Sequence, residues 1–384
     1  MKNLPHPPRT ALAAASLAAL VALSTFVVSP VAAQVLKPVP VLKGLDNPWA
    51  LAFLPDGRML VTEKPGKLRL ALPSGELSAP LAGLPAIAAR GQCGLLDVAV
   101  DPQFAQNRRI FFTFAEPATG SESGNSTAVA SARLVGEGLG AKLEDVRTIF
   151  SQKPKISSRN HCGSRIVFDR SGALLVGLGD RFSGKDEAQN PGNHIGKVVR
   201  ITAEGQPLAD NPLVGRAGSA PEVFSLGHRN IQGAALHPQT GELWAVEHGP
   251  QGGDEVNRVL PGRNYGWPVV TYGRNYGIGT RIGEAGPKPG FEQPLRHWVP
   301  TSVAPAGLAF LTSTRYPGWQ GSLFMGTLRG QALLRMTLDG NTVTGEERLL
   351  ADSGQRIRDV RQGPDGWLYI VTDGNEGQVL RLER

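Results

Sequence analysis

Six times along the chain, an apolar strand-like run, a turn rich in Pro, Asp and Gly, and a second apolar run follow one another. The copies read ALAFLPDGRMLVTE from Ala50, GLLDVAVDPQFAQNRRIFFTFAE from Gly94 and SRIVFDRSGALLVGLGD from Ser164. They continue with QGAALHPQTGELWAVEHG from Gln232, PAGLAFLTSTRYPGWQGSLFMG from Pro305 and RDVRQGPDGWLYIVTD from Arg358. Within each copy the side chains alternate or run continuously apolar, as half-buried and fully buried strands do. Further strand-like runs follow some copies, at Lys67 to Leu70 and Gln378 to Leu382. The repetition predicts an all-β fold, a six-bladed β-propeller. Residues 34–384 give about 58 residues per copy, more than the ~40–50 of a four-stranded blade, which leaves room for long loops. The stretch Val35 to Leu42 is expected to add a strand to the last blade and close the ring.

Composition agrees with this pattern and removes several alternatives. Of 384 residues, 48 are Gly and 30 are Pro, which argues against long helices, and an apolar share of 41% argues against disorder. The formal net charge is +7, with no basic block interleaved with aromatics, so nucleic acid is not the expected partner. Lys2 and Arg9 precede an apolar, Ala-rich run from Ala11 to Val28, and Val31-Ala32-Ala33 supplies small residues before Gln34. This is the pattern of a secretory signal peptide, residues 1–33, with a permanent membrane anchor as the alternative. Residues 34–384 then form a single exported propeller, with no integral membrane segment after cleavage. The two cysteines, Cys93 and Cys162, fit either a disulfide or two inert buried thiols.

The repeat also serves as a ruler. Counting back eight to ten residues from the turn positions Pro55, Pro102, Arg170, Pro238, Thr312 and Pro364 reaches Asn47, Gln92, His161, Arg229, Ser302 and Arg356. In a propeller the first strand of each blade is innermost, so these six residues should gather around the axis on one face. The second strand returns to that face and should bring Asp180, Gly249-Pro250, Arg329 and Asp373 beside them. His161 and Asp180 then form either a general base with a fixed tautomer or a structural pair buried under a loop. Arg229 and Asn230 could polarise a carbonyl oxygen or bond neighbouring backbone. Arg329, Arg356 and Arg358 suit a carboxylate or phosphate ligand, or form a solvated rim. His237, in a His-Pro turn, is expected on the surface of the opposite face. His194 and His248 lie near the mouth without an assigned role.

Several motifs are missing. Gly177-Leu-Gly179-Asp180-Arg181-Phe182 lacks the third glycine of a dinucleotide fingerprint, and no P-loop, H-E-x-x-H or G-x-S-x-G occurs. The run Gly249-PQGGDE-Val256 offers carboxylates and kinked backbone that could supply oxygen ligands to Ca²⁺, without EF-hand spacing.

From Gly44 onward the chain resembles the soluble pyrroloquinoline-quinone (PQQ)-dependent sugar dehydrogenases, that is, the periplasmic aldose sugar dehydrogenases and, more distantly, soluble glucose dehydrogenase. The resemblance is carried by GQCGLLDVAVDPQF at Gly91, NHCGSRIVFDRSG at Asn160, GHRNIQG at Gly227, EHGPQGGDEVN at Glu247, NYGWP at Asn264 and RIRDVRQGPDGWLY at Arg356. It implies a six-bladed propeller in which His161 removes the anomeric hydroxyl proton and Asp180 orients it. Hydride then passes to C5 of PQQ, whose carbonyl Arg229 polarises. It implies cofactor contacts from Gln92, Asn230, Gln232, Asp254 and Ser302 (Thr301 being the other candidate at that loop). It further implies that Arg329, Arg356 and Arg358 hold the cofactor's carboxylates. The carbonyls of Gly249 and Pro250 are the implied ligands of the Ca²⁺ beside the quinone. Glu255 and the backbone of Tyr265 resemble a second, structural Ca²⁺ site. Two positions depart from the soluble glucose enzymes: Arg329 stands where they have Lys, and Asn160 where they have Asp.

The resemblance also changes the reading of the cysteines. Cys93 follows Gln92 and Cys162 follows His161, on loops of successive blades, so the two are expected to bond. The implied protein is a periplasmic oxidoreductase that converts aldoses to lactones and passes electrons to an unidentified acceptor. Two rivals remain: a Ca²⁺-dependent lactonase-type hydrolase and a non-catalytic sugar-binding propeller.

Overall fold

The structure is a computed structural model that describes residues 1, 2, 4, 6 and 35–384. The segment read as a signal peptide therefore lies, apart from four residues, outside the described residues. Leu36–Arg384 forms one compact unit.

That unit consists of six antiparallel sheets. Their first strands are Pro48–Phe53, Leu95–Val100, Gly163–Phe168, Ile231–Leu236, Pro305–Phe310 and Ile357–Gln362, defining blades 1 to 6. Each first strand packs against the first strands of the blades on either side, closing a ring around the axis. The fold is thus a six-bladed β-propeller with the first strands innermost. Blade 1 has three strands; the other five have four. In blade 6 the fourth strand comes from the other end of the chain, since Lys37–Leu45 pairs antiparallel with Gly377–Glu383. The ring closes as the sequence pattern suggested, and the closing strand extends three residues beyond the expected Leu42.

On one face, tight turns join the first and second strands in blades 1, 3, 4 and 6, whereas blade 2 inserts the short helix Phe104–Asn107 and blade 5 a twelve-residue loop. In blade 1, Gly57 adopts φ +85° and donates its N–H to the Leu54 carbonyl at 3.0 Å, a geometry that favours glycine. Between blades, apolar side chains interleave; Phe111, Val129, Ile166, Leu174, Val176 and Val199 form one such buried layer.

On the opposite face the inner strands share an irregularity. In all six blades the pairing of first and second strand slips by one residue near the start of the first strand. The unpaired extra residue is Trp49 in blade 1, Gln232 in blade 4, Gly307 in blade 5 and Arg358 in blade 6. A β-bulge of this kind kinks the strand and re-aims a side chain. Here the irregularity recurs at the mouth of the propeller in all six blades.

One expectation is corrected. His237 is buried rather than a surface residue, with its ring centroid 5.8 Å from that of Trp244 and 5.0 Å from that of Phe310. The His-Pro turn does cap the strand, but the inter-blade aromatic layer reaches out far enough to cover the imidazole.

Candidate active site

The loops leading into the inner strands carry the polar residues of the mouth. Their backbone is unusual, because Asn47, His161 and Ala304 sit in the left-handed region at φ +49°, +49° and +51°. Non-glycine residues held there cost of order 1–3 kcal/mol and concentrate at functional sites. At His161 the conformation is reinforced from the facing strand end, as Arg181 donates its backbone N–H to the His161 carbonyl at 3.3 Å. Gly179 permits this approach; a Cβ there would lie 2.0 Å from the His161 carbonyl oxygen.

Asp180 follows immediately. Its Oδ1 lies 2.6 Å from His161 Nδ1 and also accepts the Phe182 N–H at 2.7 Å. Its Oδ2 accepts the indole N–H of Trp267 at 2.8 Å. The carboxylate is therefore fixed by three contacts, and it holds the imidazole with Nδ1 engaged and Nε2 without a partner among the described residues. Burial keeps the His161 imidazole below the ordinary histidine range, against the opposing pull of Asp180. A neutral imidazole with one nitrogen free can accept a proton.

His161, Asp180, Arg229, Pro250 and Trp267 line one cavity of about 250 Å³, with Phe182 and Tyr276 at its rim. Arg229 donates through Nη1 to the carbonyls of His248 at 2.8 Å and Gly249 at 2.6 Å, while its backbone N–H donates to Glu247 at 2.6 Å. Its Nε is buried without a hydrogen-bond partner among the described residues.

From this cavity a polar chain crosses the mouth. Gln92 accepts the His161 backbone N–H at 2.9 Å, and Asn230 accepts that of Gly163 at 3.1 Å. Gln232 donates to Asn230 Oδ1 at 3.2 Å and accepts from Arg358 Nη1 at 3.0 Å. Arg358 and Arg356 both reach Asp373, at 3.4 Å and 2.9 Å. Arg329 is exposed, and its side chain has no partner among the described residues; its backbone N–H donates to Val303. Positive charge dominates this side. Burial, and then Arg358 and Arg356, hold the Lys64 amine below its ordinary value; burial, Arg358 and Arg229 push His248 down to about 3.

Asp254 and Ser302 are bonded to each other at 2.5 Å. The Asp254 carboxylate also accepts the N–H groups of Gly249, Val303 and Ala304, so it joins the Gly249 loop to the Ser302 loop. Below them, Gly249, Glu247, Glu255 and Tyr265 surround a small cavity. Loss of water and the nearby Glu247 charge push the Glu255 carboxyl up to about 8. Burial opposes ionisation of Glu247 as well, but His228 and two backbone N–H groups hold it low.

Cys93 and Cys162 are disulfide-bonded, with Cα atoms 5.7 Å apart, and the bond ties the Gln92 loop to the His161 loop. The buried Arg181 guanidinium packs on both sulfurs. The sequence reasoning assigned no role to Trp267, Arg181, Lys64 or Glu247. Trp267 lies in the quoted NYGWP motif and Glu247 opens the quoted EHGPQGGDEVN motif, the signals that pointed to them; Arg181 appeared only in the glycine run read as a failed dinucleotide fingerprint, and nothing marked Lys64.

The chain is similar to known proteins over most of its length. Residues 45–381 match the profile of the glucose/sorbosone dehydrogenase family. The chain is 46% identical over 341 residues to an aldose sugar dehydrogenase of Escherichia coli, covering 88% of this chain and 90% of that one. The crystal structure of the soluble aldose sugar dehydrogenase from E. coli, in its apo-form, superposes with a TM-score of 0.86 at 44% identity, covering 91% of this chain and 99% of that one. The PQQ-bound aldose sugar dehydrogenase of Streptomyces coelicolor superposes at 0.75 with 29% identity, covering 91% and 97%.

Proposed function

The chain belongs to the glucose/sorbosone dehydrogenase family, and on that premise we propose that it is a PQQ- and Ca²⁺-dependent aldose dehydrogenase, forming lactones, with its chemistry at the mouth of the propeller. The observation that carries the reading is the 2.6 Å His161–Asp180 contact inside a cavity shared with Arg229.

The donor set fits a polyanionic quinone. Arg329, Arg356 and Arg358 would hold its carboxylates, and Gln92, Asn230, Gln232, Asp254 and Ser302 would supply polar contacts. The orphaned Nε atoms of Arg229 and Arg358 agree with a mouth built to receive acceptors. For a cation, the available ligands are hard oxygens. Among the described residues no three His, Cys, Asp or Glu side chains could hold a metal together. Ca²⁺ would therefore rest largely on backbone carbonyls: those of Gly249 and Pro250 beside the quinone, and that of Tyr265 with the Glu255 carboxylate at a second site.

Bound PQQ would supply the two-electron oxidant, accepting the hydride of the anomeric C–H. His161 Nε2 accepts the proton of the anomeric hydroxyl, with Asp180 fixing the tautomer. Arg229 would place positive charge beside a quinone oxygen as it becomes negative. The rival hydrolase would need free carboxylates on the axis. Among the described residues, Asp97 and Asp359 meet there, and both are bound to Arg165 and Arg361.

Residues 1–33 are read as a leader cleaved on export to the periplasm, leaving 34–384 as the mature propeller; the disulfide suits an oxidising compartment. To test the function, chelator-treated protein is mixed with PQQ and Ca²⁺, and reduction of an artificial dye is followed across a panel of aldoses. Reduction should require both additions; no cofactor-dependent reduction with any aldose refutes the reading.

A further inference from the structure

Beneath the mouth, four charged side chains meet on the axis. Arg165 Nη1 lies 3.2 Å from Asp97 and 3.0 Å from Asp359, and Arg361 reaches the same two carboxylates at 2.9 Å and 2.8 Å. Two positive and two negative charges balance. The two arginines nevertheless have different surroundings. The Arg361 side chain is a quarter exposed and, among the described residues, bonds these carboxylates alone. Arg165 is fully buried, and its remaining N–H groups turn upward.

Arg165 Nε donates to the Gln232 carbonyl at 2.7 Å and Nη2 to the Arg358 carbonyl at 3.2 Å. Its guanidinium carbon lies 4.1 Å from the centre of the Trp49 ring. Gln232, Arg358 and Trp49 are the bulge residues of blades 4, 6 and 1. A bulge leaves its extra residue outside the strand ladder, so its backbone must find another partner. One guanidinium provides that partner for two of them. The side chains of these two residues also bond each other, Arg358 Nη1 donating to Gln232 Oε1 at 3.0 Å.

We propose that Arg165 is a positioning residue for the cofactor floor: by clamping the Gln232 and Arg358 carbonyls, it sets how those two side chains are presented to the quinone. This rests on the proposed function insofar as Gln232 and Arg358 receive PQQ. Arg361 shares the carboxylates but not the clamp, so it contributes to the network without shaping the floor.

The two arginines allow a matched comparison. Apo-protein carrying Arg165→Met or Arg361→Met is titrated with PQQ in the presence of Ca²⁺, following quinone absorbance, and each variant's thermal midpoint is measured. Arg165→Met should weaken quinone binding at least about tenfold, and Arg361→Met less than about twofold, with comparable losses of thermal stability. Arg165→Lys keeps the charge but not the forked geometry. It should still weaken binding severalfold, and it carries the test if the Met variant does not fold. Hydrogen exchange of peptides covering residues 229–236, in protein without quinone, should accelerate in both Arg165 variants and not in Arg361→Met. Equal weakening by Arg165→Met and Arg361→Met, or wild-type binding in the Arg165 variants, overturns the proposal. Failure of the wild type to bind PQQ would instead refute the functional reading, and the exchange comparison would then still decide whether Arg165 orders the floor.

Discussion

Removing the disulfide should cost the propeller a calculable share of its stability. Cys93 and Cys162 are 69 residues apart in sequence, and bonding them forbids the unfolded chain every conformation in which those residues separate. For a loop of this length the chain-entropy relation gives about 15 cal/mol/K, or about 4 kcal/mol at 25 °C. The compact unit runs from Leu36 to Arg384, and at about 2.1 cal/mol/K per residue its unfolding entropy is about 0.7 kcal/mol/K. The melting temperature of a Cys93→Ala/Cys162→Ala variant should therefore fall by about 6 °C. Differential scanning calorimetry of the two proteins at one pH and protein concentration measures this. A free-thiol assay under denaturant confirms that the wild type starts without free thiols. A fall of less than about 1 °C, or two free thiols in the purified wild type, refutes the reasoning. Because the bond joins the Gln92 and His161 loops, the variant should also turn over more slowly at temperatures well below its midpoint.

Other consequences concern the mouth. Burial places the His161 pKa below its ordinary value, so the imidazole is neutral above that point. The pH profile of kcat/KM should rise through a midpoint below 6.5 and then stay flat. Asp180→Asn removes an interaction that raises this pKa, so the midpoint should move to still lower pH while the plateau falls by roughly 10²-fold or more; a midpoint moving upward contradicts the assignment. Trp267→Phe leaves Asp180 Oδ2 without its 2.8 Å indole donor, and denaturant titration should show a loss of about 1–3 kcal/mol together with a lower kcat. Gly179→Ala forces a Cβ to within 2.0 Å of the His161 carbonyl oxygen. It should cost at least about 2 kcal/mol and most of the activity, whereas wild-type stability in that variant would show the approach to be looser than described.

The propeller was legible because its repeat is written in apolar runs, and six copies average out local ambiguity. The face on which His161, Asp180 and Arg229 gather followed from the same repeat, since inner-strand geometry dictates where the preceding loops lie. The bulges were not legible. An alternation of period two looks the same with one extra residue, so nothing marked Gln232, Arg358 or Trp49 as lying outside the ladder. Trp267 was missed for another reason: it lies in the long connection between Asp254–Val259 and Arg296–Trp298, which has no counterpart in other blades to measure against. His237 was misjudged because a His-Pro turn reads as surface, and only the inter-blade aromatic packing shows otherwise. The pairing of Cys93 with Cys162 came from family resemblance, the spacing itself being neutral.

The central claim is that His161 acts as the base in a mouth that binds quinone through other residues. The deciding measurement compares wild type and His161→Gln by quinone titration and by dye-coupled turnover with an aldose, in the presence of Ca²⁺. Quinone affinity should stay within about twofold of wild type while turnover falls by about 10²–10⁴-fold, the usual worth of a positioned general base. Turnover that survives the substitution would contradict the claim.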